Sequence, residues 1–188
     1  MIIEYLKGNK KIAKKHFFIL LTIVLFIFIV IMRYLDSYLI TDLSPNGIVS
    51  FELAKDVFLS RAIINSWDET ARTAAGISMG LDFIFLIVYS LFIAVLIQKL
   101  NNSIWKNNSI YVLGKILVVA ILIAAIFDAI ENVALIKLLL GDVNEIWSST
   151  AFYFASLKFI LILCCIIYII INAMILLIKR IKVPYSSR

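Results

Sequence analysis

Four charged side chains lie well inside three of the four long apolar stretches of this 188-residue chain, away from the ends of those stretches. Asp82 lies in the second stretch, Asp128 and Glu131 lie in the third, and Lys158 lies in the fourth. Buried carboxyl groups can bind cations or act as general acids and bases, because burial favours their neutral form near neutral pH. These residues therefore predict a polar site inside an otherwise apolar protein, with Lys158 as the counter-charge.

The spacing of the polar residues places them on single helix faces. Asp128, Glu131 and Asn132 stand at positions i, i+3 and i+4, which share one side of a helix. Arg72 opens the second stretch on the same side of the membrane, where we expect either solvent or the polar site around it. The predicted ligand-binding residues are Arg72, Ser78, Asp82, Tyr89, Asp128, Glu131, Asn132 and Lys158, and the candidate acid/base residues are Asp82, Asp128 and Glu131.

The predicted site carries more acid than base. An ionised side chain near the bilayer centre costs roughly 2.5 to 3.5 kcal/mol on insertion scales, so we expect Lys158 to pair with the carboxylates. The surplus negative charge then requires a retained proton, Arg72 or Lys55 from the outer segment, a metal ion, or a cationic ligand. Alternatively, the ion pairs and the Asn132 amide only hold the helices in register.

The elements that position these residues are membrane helices. Hydrophobic residues make up 63% of the chain and the mean hydropathy is +1.05, whereas a soluble domain is nearer half apolar. A helix needs roughly 20 apolar residues to span a bilayer. We predict an all-α polytopic membrane protein with four transmembrane helices over residues 17–35, 75–100, 110–140 and 151–178. The first is expected to be retained rather than cleaved as a signal peptide, since residues 31–35 contain no small-residue cleavage site.

The distribution of lysines predicts the orientation. Basic residues gather in 1–16, 101–109 and 179–188, whereas 36–74 and 141–150 hold most of the acidic residues. The positive-inside rule then places both termini in the cytoplasm, with the protein in the plasma membrane. Because the basic excess lies at helix ends, the lipid bilayer and not nucleic acid is the expected partner.

Residues 36–74 form the outer segment, for which we expect an amphipathic helix after the turn signal Ser44–Gly47. This helix would either lie at the membrane interface with Trp67 at headgroup level, or fold over the bundle as a lid. Glu52, Lys55 and Asp56 are expected on its solvated face.

Known catalytic and nucleotide-binding motifs are missing from the sequence. It contains no Walker loop, GxSxG, HExxH or GxGxxG pattern, and one histidine with two adjacent cysteines makes no zinc pattern. We therefore predict no metal site and no cofactor.

Three functions remain open. The first is an outward-facing pocket that binds, or acts by acid/base chemistry on, a small or lipid-like and possibly cationic ligand. The second is proton- or cation-coupled transport by a homo-oligomer, although the spans hold few charges in their inner halves. The third is an accessory or assembly subunit with a structural charge cluster.

Four segments of the chain also resemble a known family. IINSWDETAR, GISMGLDFIFLIVYS, FDAIENVALI and FASLKFIL are similar to segments of a family of small uncharacterised bacterial membrane proteins with four helices. The resemblance covers most of the chain from about residue 48 to residue 168. It implies the four-helix topology and implies no activity.

Overall fold

The computed structural model describes residues 2–106 and 108–182, and the side chains of 15–106, 108–179 and 181. Over these residues the chain forms six α-helices and no strand. A single 3₁₀ turn, Ser37–Leu39, follows the first helix. The helices are α1 (Ile2–Asp36), α2 (Ile48–Glu52), α3 (Val57–Ser66), α4 (Glu69–Ile104), α5 (Ile110–Leu139) and α6 (Glu145–Lys182).

The helices α1, α4, α5 and α6 are each long and apolar enough to cross a membrane. The predicted all-α fold with four membrane helices is therefore confirmed. Three of these helices extend beyond the predicted spans, since α1 begins at Ile2, α4 at Glu69 and α6 at Glu145. For α4, the extra turns follow from Asp68, whose carboxylate accepts a hydrogen bond from the Ala71 amide at the start of the helix.

The bundle is built around α4, α5 and α6, which contact one another, while α1 packs mainly against α4. Small residues let the three central helices approach closely, including the fully buried Ala124, Ala151 and Ala155. Over residues 15–36 the α1 helix is mostly exposed, and it attaches through stacked rings, such as Phe28 on Phe85. In a membrane, its exposed apolar side faces lipid.

Residues 37–68, which we call the cap, fold over the end of the bundle where α1 ends and α4 begins. Both α2 and α3 contact α5 and α6. Trp67 is 2% exposed, packs edge-on against Phe51 and donates a hydrogen bond to the Leu39 carbonyl at 3.0 Å. Two arrangements were expected for this segment, and in the structure it folds over the bundle as a lid. Trp67 lies in the core of the cap rather than at the membrane interface.

Two local features fix where α2 lies. Gly47 has φ +59°, a conformation that disfavours residues with a Cβ atom, and a Cβ there would overlap the Asp36 carboxylate. Asp36 closes α1 and accepts a hydrogen bond from the Ile48 amide at 2.7 Å. The end of α1 therefore caps the start of α2, which brings the far end of α2 over the bundle.

Candidate functional site

Lys158 lies at the centre of a buried group of charges on α5 and α6. Its Nζ donates hydrogen bonds to Asp128 Oδ1 at 2.8 Å and to Glu131 Oε1 at 2.9 Å. Glu131 Oε2 also lies 2.8 Å from the same nitrogen. The three side chains are between 0% and 5% exposed, so the ion pairs are shielded from solvent on all sides.

A third carboxylate reaches Lys158 from the cap. Glu52 Oε2, at the end of α2, lies 3.7 Å from Lys158 Nζ, and Glu52 is 9% exposed. The expectation that Glu52 lies on a solvated face with Lys55 and Asp56 is therefore wrong for Glu52, although the other two are exposed. We call Glu52, Asp128, Glu131 and Lys158 the charge cluster.

Residues of α4 extend the polar contacts. The Tyr89 hydroxyl donates a hydrogen bond to Asp128 Oδ2 at 2.8 Å, so both oxygens of Asp128 have a donor. Asp82 is half-buried and accepts a hydrogen bond from Asn132 Nδ2. Side chains from three membrane helices and from the cap thus meet in one region.

The charged residues of α4, α5 and α6 lie at a similar height along the bundle because of where their helices begin and end. Asp82 and Lys158 each lie about 13 residues after the first residue of their helix, which is roughly 20 Å at 1.5 Å per residue. Asp128 and Glu131 precede the end of α5 by about two to three turns. Since α4 and α6 run antiparallel to α5, all four residues lie in the half of the bundle next to the cap.

Two predicted site residues, Arg72 and Ser78, take part in other contacts. Arg72 is exposed, and its Nε donates to the carbonyls of Ile64 and Trp67, both at 3.1 Å. It therefore caps the C-terminal end of α3 and does not balance the carboxylates. Ser78 is buried and donates to Met32 Sδ at 3.6 Å, a contact between α4 and α1.

The cap end also carries an open groove of about 430 Å³ between α1 and α4. It contains none of the predicted site residues, so it is separate from the charge cluster. Its lining is formed by Leu35, Tyr38, Glu69, Thr70, Thr73, Ala74 and Ile77.

A second polar network lies near the opposite end of the bundle, and none of its residues is among the predicted site residues. The Tyr168 hydroxyl donates to Asn101 Oδ1 at 3.0 Å, and Trp105 Nε1 donates to Asn172 Oδ1. Asn101 packs against Gly114, where a Cβ atom would overlap its amide group. Tyr168 and Asn172 stand at i and i+4 on one face of α6, which was the available signal.

Glu52 is the residue of the charge cluster that lies outside the membrane helices, and its burial affects its pKa. Burial raises the pKa of Glu52 above its ordinary value; the Lys158 ammonium opposes this shift, and the Asp128 carboxylate adds to it. The raised pKa means that Glu52 binds a proton more tightly in the folded protein than in the unfolded chain.

Comparisons of the chain with protein-family models, with curated proteins and with solved structures find no match. The chemistry available to the charge cluster is set by its contacts. Three carboxylates surround one ammonium, so the group can accept protons or a further cation. Among the described residues, no group of three or more His, Cys, Asp and Glu is placed to hold a metal ion.

Proposed function

We propose that this multi-pass membrane protein binds, or acts by acid/base chemistry on, a small or lipid-like ligand that carries a positive charge. The observation that supports this most directly is the surplus of acid around Lys158. Glu52, Asp128 and Glu131 all lie within 3.7 Å of its nitrogen. A structural pair needs one carboxylate per amine, whereas a cation-binding site benefits from the excess.

The cap gives this site a way to open. Glu52 is the cap's ionic contact with Lys158, and it belongs to a short helix of five residues. Movement of α2 would expose Asp128 and Glu131 from the cap side without disturbing the contacts between α5 and α6. A ligand arriving in the adjacent leaflet would then reach the carboxylates directly.

The same proposal includes an orientation. The cap faces the outside of the plasma membrane, and both termini lie in the cytoplasm. This is supported by the exposed Lys99, Lys106 and Lys179 at the end of the bundle opposite the cap.

Transport by a homo-oligomer is the alternative, and the packing between the two polar regions counts against it. The charge cluster and the Asn101–Tyr168 network are separated along the helices by buried apolar residues. The separating residues are Ile97 on α4, Ile121, Ala124 and Ala125 on α5, and Cys165 on α6. A conducting path would have to pass these residues, whereas a ligand that binds from the cap side would not have to pass them.

Thermal unfolding in lipid nanodiscs tests the proposal, with a long-chain alkylamine as the probe and the matching alcohol as the uncharged control. A probe present at about 100 times its Kd should stabilise the wild-type protein by about 2.7 kcal/mol. Asp128→Asn should lose this stabilisation, because it removes a carboxylate next to Lys158. Asp42→Asn, which changes an exposed acid in the cap, should keep it.

Two results would reject ligand binding. One is equal stabilisation by the amine and the alcohol. The other result has two parts. The amine does not stabilise the wild type, and Asp128→Asn lowers the melting temperature while the double change Asp128→Asn with Lys158→Met restores it. The second result would identify the charge cluster as a structural clamp.

A further inference from the structure

Two carboxyl oxygens of the charge cluster are buried and receive no hydrogen bond. These atoms are Glu52 Oε2 and Glu131 Oε2. Glu52 Oε2 lies 3.7 Å from Lys158 Nζ, which is too far for a hydrogen bond. Glu131 Oε2 lies 2.8 Å from the same nitrogen without forming a hydrogen bond to it. A buried acceptor without a donor is costly, so the charge cluster lacks at least one hydrogen-bond donor.

The remaining groups nearby supply a donor to one of these two atoms at most. Lys158 already donates to Asp128 and to the other oxygen of Glu131, which leaves one of its three N–H donors. On α4, the Tyr89 hydroxyl donates to Asp128 and Asp82 is a further acid. On α1, Asp36 adds negative charge toward Glu52.

The balance of charges around Glu52 also indicates a bound proton. Among the charged groups that act on Glu52, the acids are Asp36 of α1, Asp82 of α4 and Asp128 of α5, and the cation is Lys158 of α6. Carboxylates held this close cannot all remain ionised around one ammonium. A proton is the smallest cation that both neutralises one carboxylate and provides the missing donor.

We propose that Glu52 and Glu131 bind one dissociable proton as a pair, and that this proton holds the cap closed over Lys158. When α2 moves away, Glu52 enters water, its O–H bond breaks and the proton passes to solvent, which leaves a hydrated glutamate. Glu131 stays ionised beside Lys158. This goes beyond ligand binding, since it requires no ligand and would hold for a protein that binds none.

Infrared spectroscopy of the protein in lipid tests the proposal directly, with ¹³C in the side-chain carboxyl of every glutamate. Isotopic labelling separates glutamic acid bands from those of aspartic acid such as Asp82. The wild type should show a labelled carboxylic acid band at about pH 7, where an ordinary exposed glutamate is fully ionised.

Three variants locate the proton. Glu52→Gln and Glu131→Gln should each abolish the labelled band, because either change removes one negative charge and supplies an amide donor to the remaining glutamate. Glu145→Gln, at an exposed glutamate in the first turn of α6, should leave the band unchanged.

Absence of a labelled band from the wild type at neutral pH would overturn the proposal without reference to any variant. A band that keeps its full intensity in Glu52→Gln would also overturn it, because the proton would then belong to Glu131 alone and could not hold the cap. A positive result in the alkylamine experiment would not rescue either outcome, so the two proposals fail separately.

Discussion

At the scale of single residues, Glu52 shows what the sequence could and could not predict. Asp128, Glu131 and Lys158 were singled out because ionisable groups inside apolar helices are rare and need partners. Glu52 carried no such signal, since it lies beside Lys55 and Asp56 in a polar stretch outside the spans. Its burial depends on the cap folding back over α5 and α6, and no local pattern encodes that contact.

The pKa of Glu52 predicts how stability depends on pH. Burial raises this pKa in the folded protein, so the folded state binds the proton more tightly than the unfolded state does. The resulting stabilisation is complete below the ordinary glutamate pKa of about 4.3 and is lost as pH rises through the raised value. We therefore expect Glu52→Gln to flatten this part of the decline in melting temperature over the pH range above about 4.3.

The measurement is thermal unfolding across that range in the same lipid, with Glu145→Gln as the matched exposed control. The control should follow the wild-type profile. A Glu52→Gln profile with the wild-type slope would show that Glu52 does not titrate differently in the folded and unfolded states.

At the scale of elements, the long helices were predictable and the short ones were not. Four apolar stretches longer than a bilayer requires leave few alternatives to membrane helices. The outer segment was expected to contain an amphipathic helix, and it divides into the 3₁₀ turn, α2 and α3. The break follows α2 because Asp56 caps α3 by accepting from the Leu59 amide at 2.8 Å, which restarts the helix in a new direction.

The position of α2 depends on Gly47, which provides a prediction for this element. In Gly47→Ala, the new Cβ would overlap the Asp36 carboxylate and the backbone would stay at an unfavourable φ. We expect a loss of about 1 to 3 kcal/mol in stability and faster amide hydrogen exchange in α2 and α3, because Asp36 no longer caps Ile48. Hydrogen exchange followed by mass spectrometry measures this segment by segment.

Gly80→Ala is the control for that experiment. A Cβ atom at Gly80 meets nothing within 4 Å, and the residue lies inside α4. Alanine is favoured over glycine in a helix by about 0.5 to 1 kcal/mol, so no stability should be lost. Unchanged exchange of the cap amides in Gly47→Ala would show that Asp36 and Gly47 do not determine where α2 lies.

At the scale of the whole molecule, polar chemistry is concentrated at the two ends of an apolar bundle. The charge cluster lies under the cap, and the Asn101–Tyr168 network lies toward the opposite end. The first could be anticipated because three helices carry ionisable residues at matching heights. The second uses asparagine, tyrosine and tryptophan side chains, which are common near membrane interfaces and therefore give a weak signal in the sequence.

The orientation of the whole molecule gives the last prediction. Lys99 and Lys179 lie over the aromatic rings of Phe18 and Trp105 at the end opposite the cap, whereas the cap end carries exposed acids such as Asp42 and Glu145. Because translocation of lysine-rich segments is disfavoured, the cap should be outside. With Cys164 and Cys165 replaced by alanine, a membrane-impermeant maleimide should label Asn46→Cys in intact cells and Ser103→Cys only after permeabilisation. The reverse pattern would place the cap in the cytoplasm, and the charge cluster would then open to the cell interior.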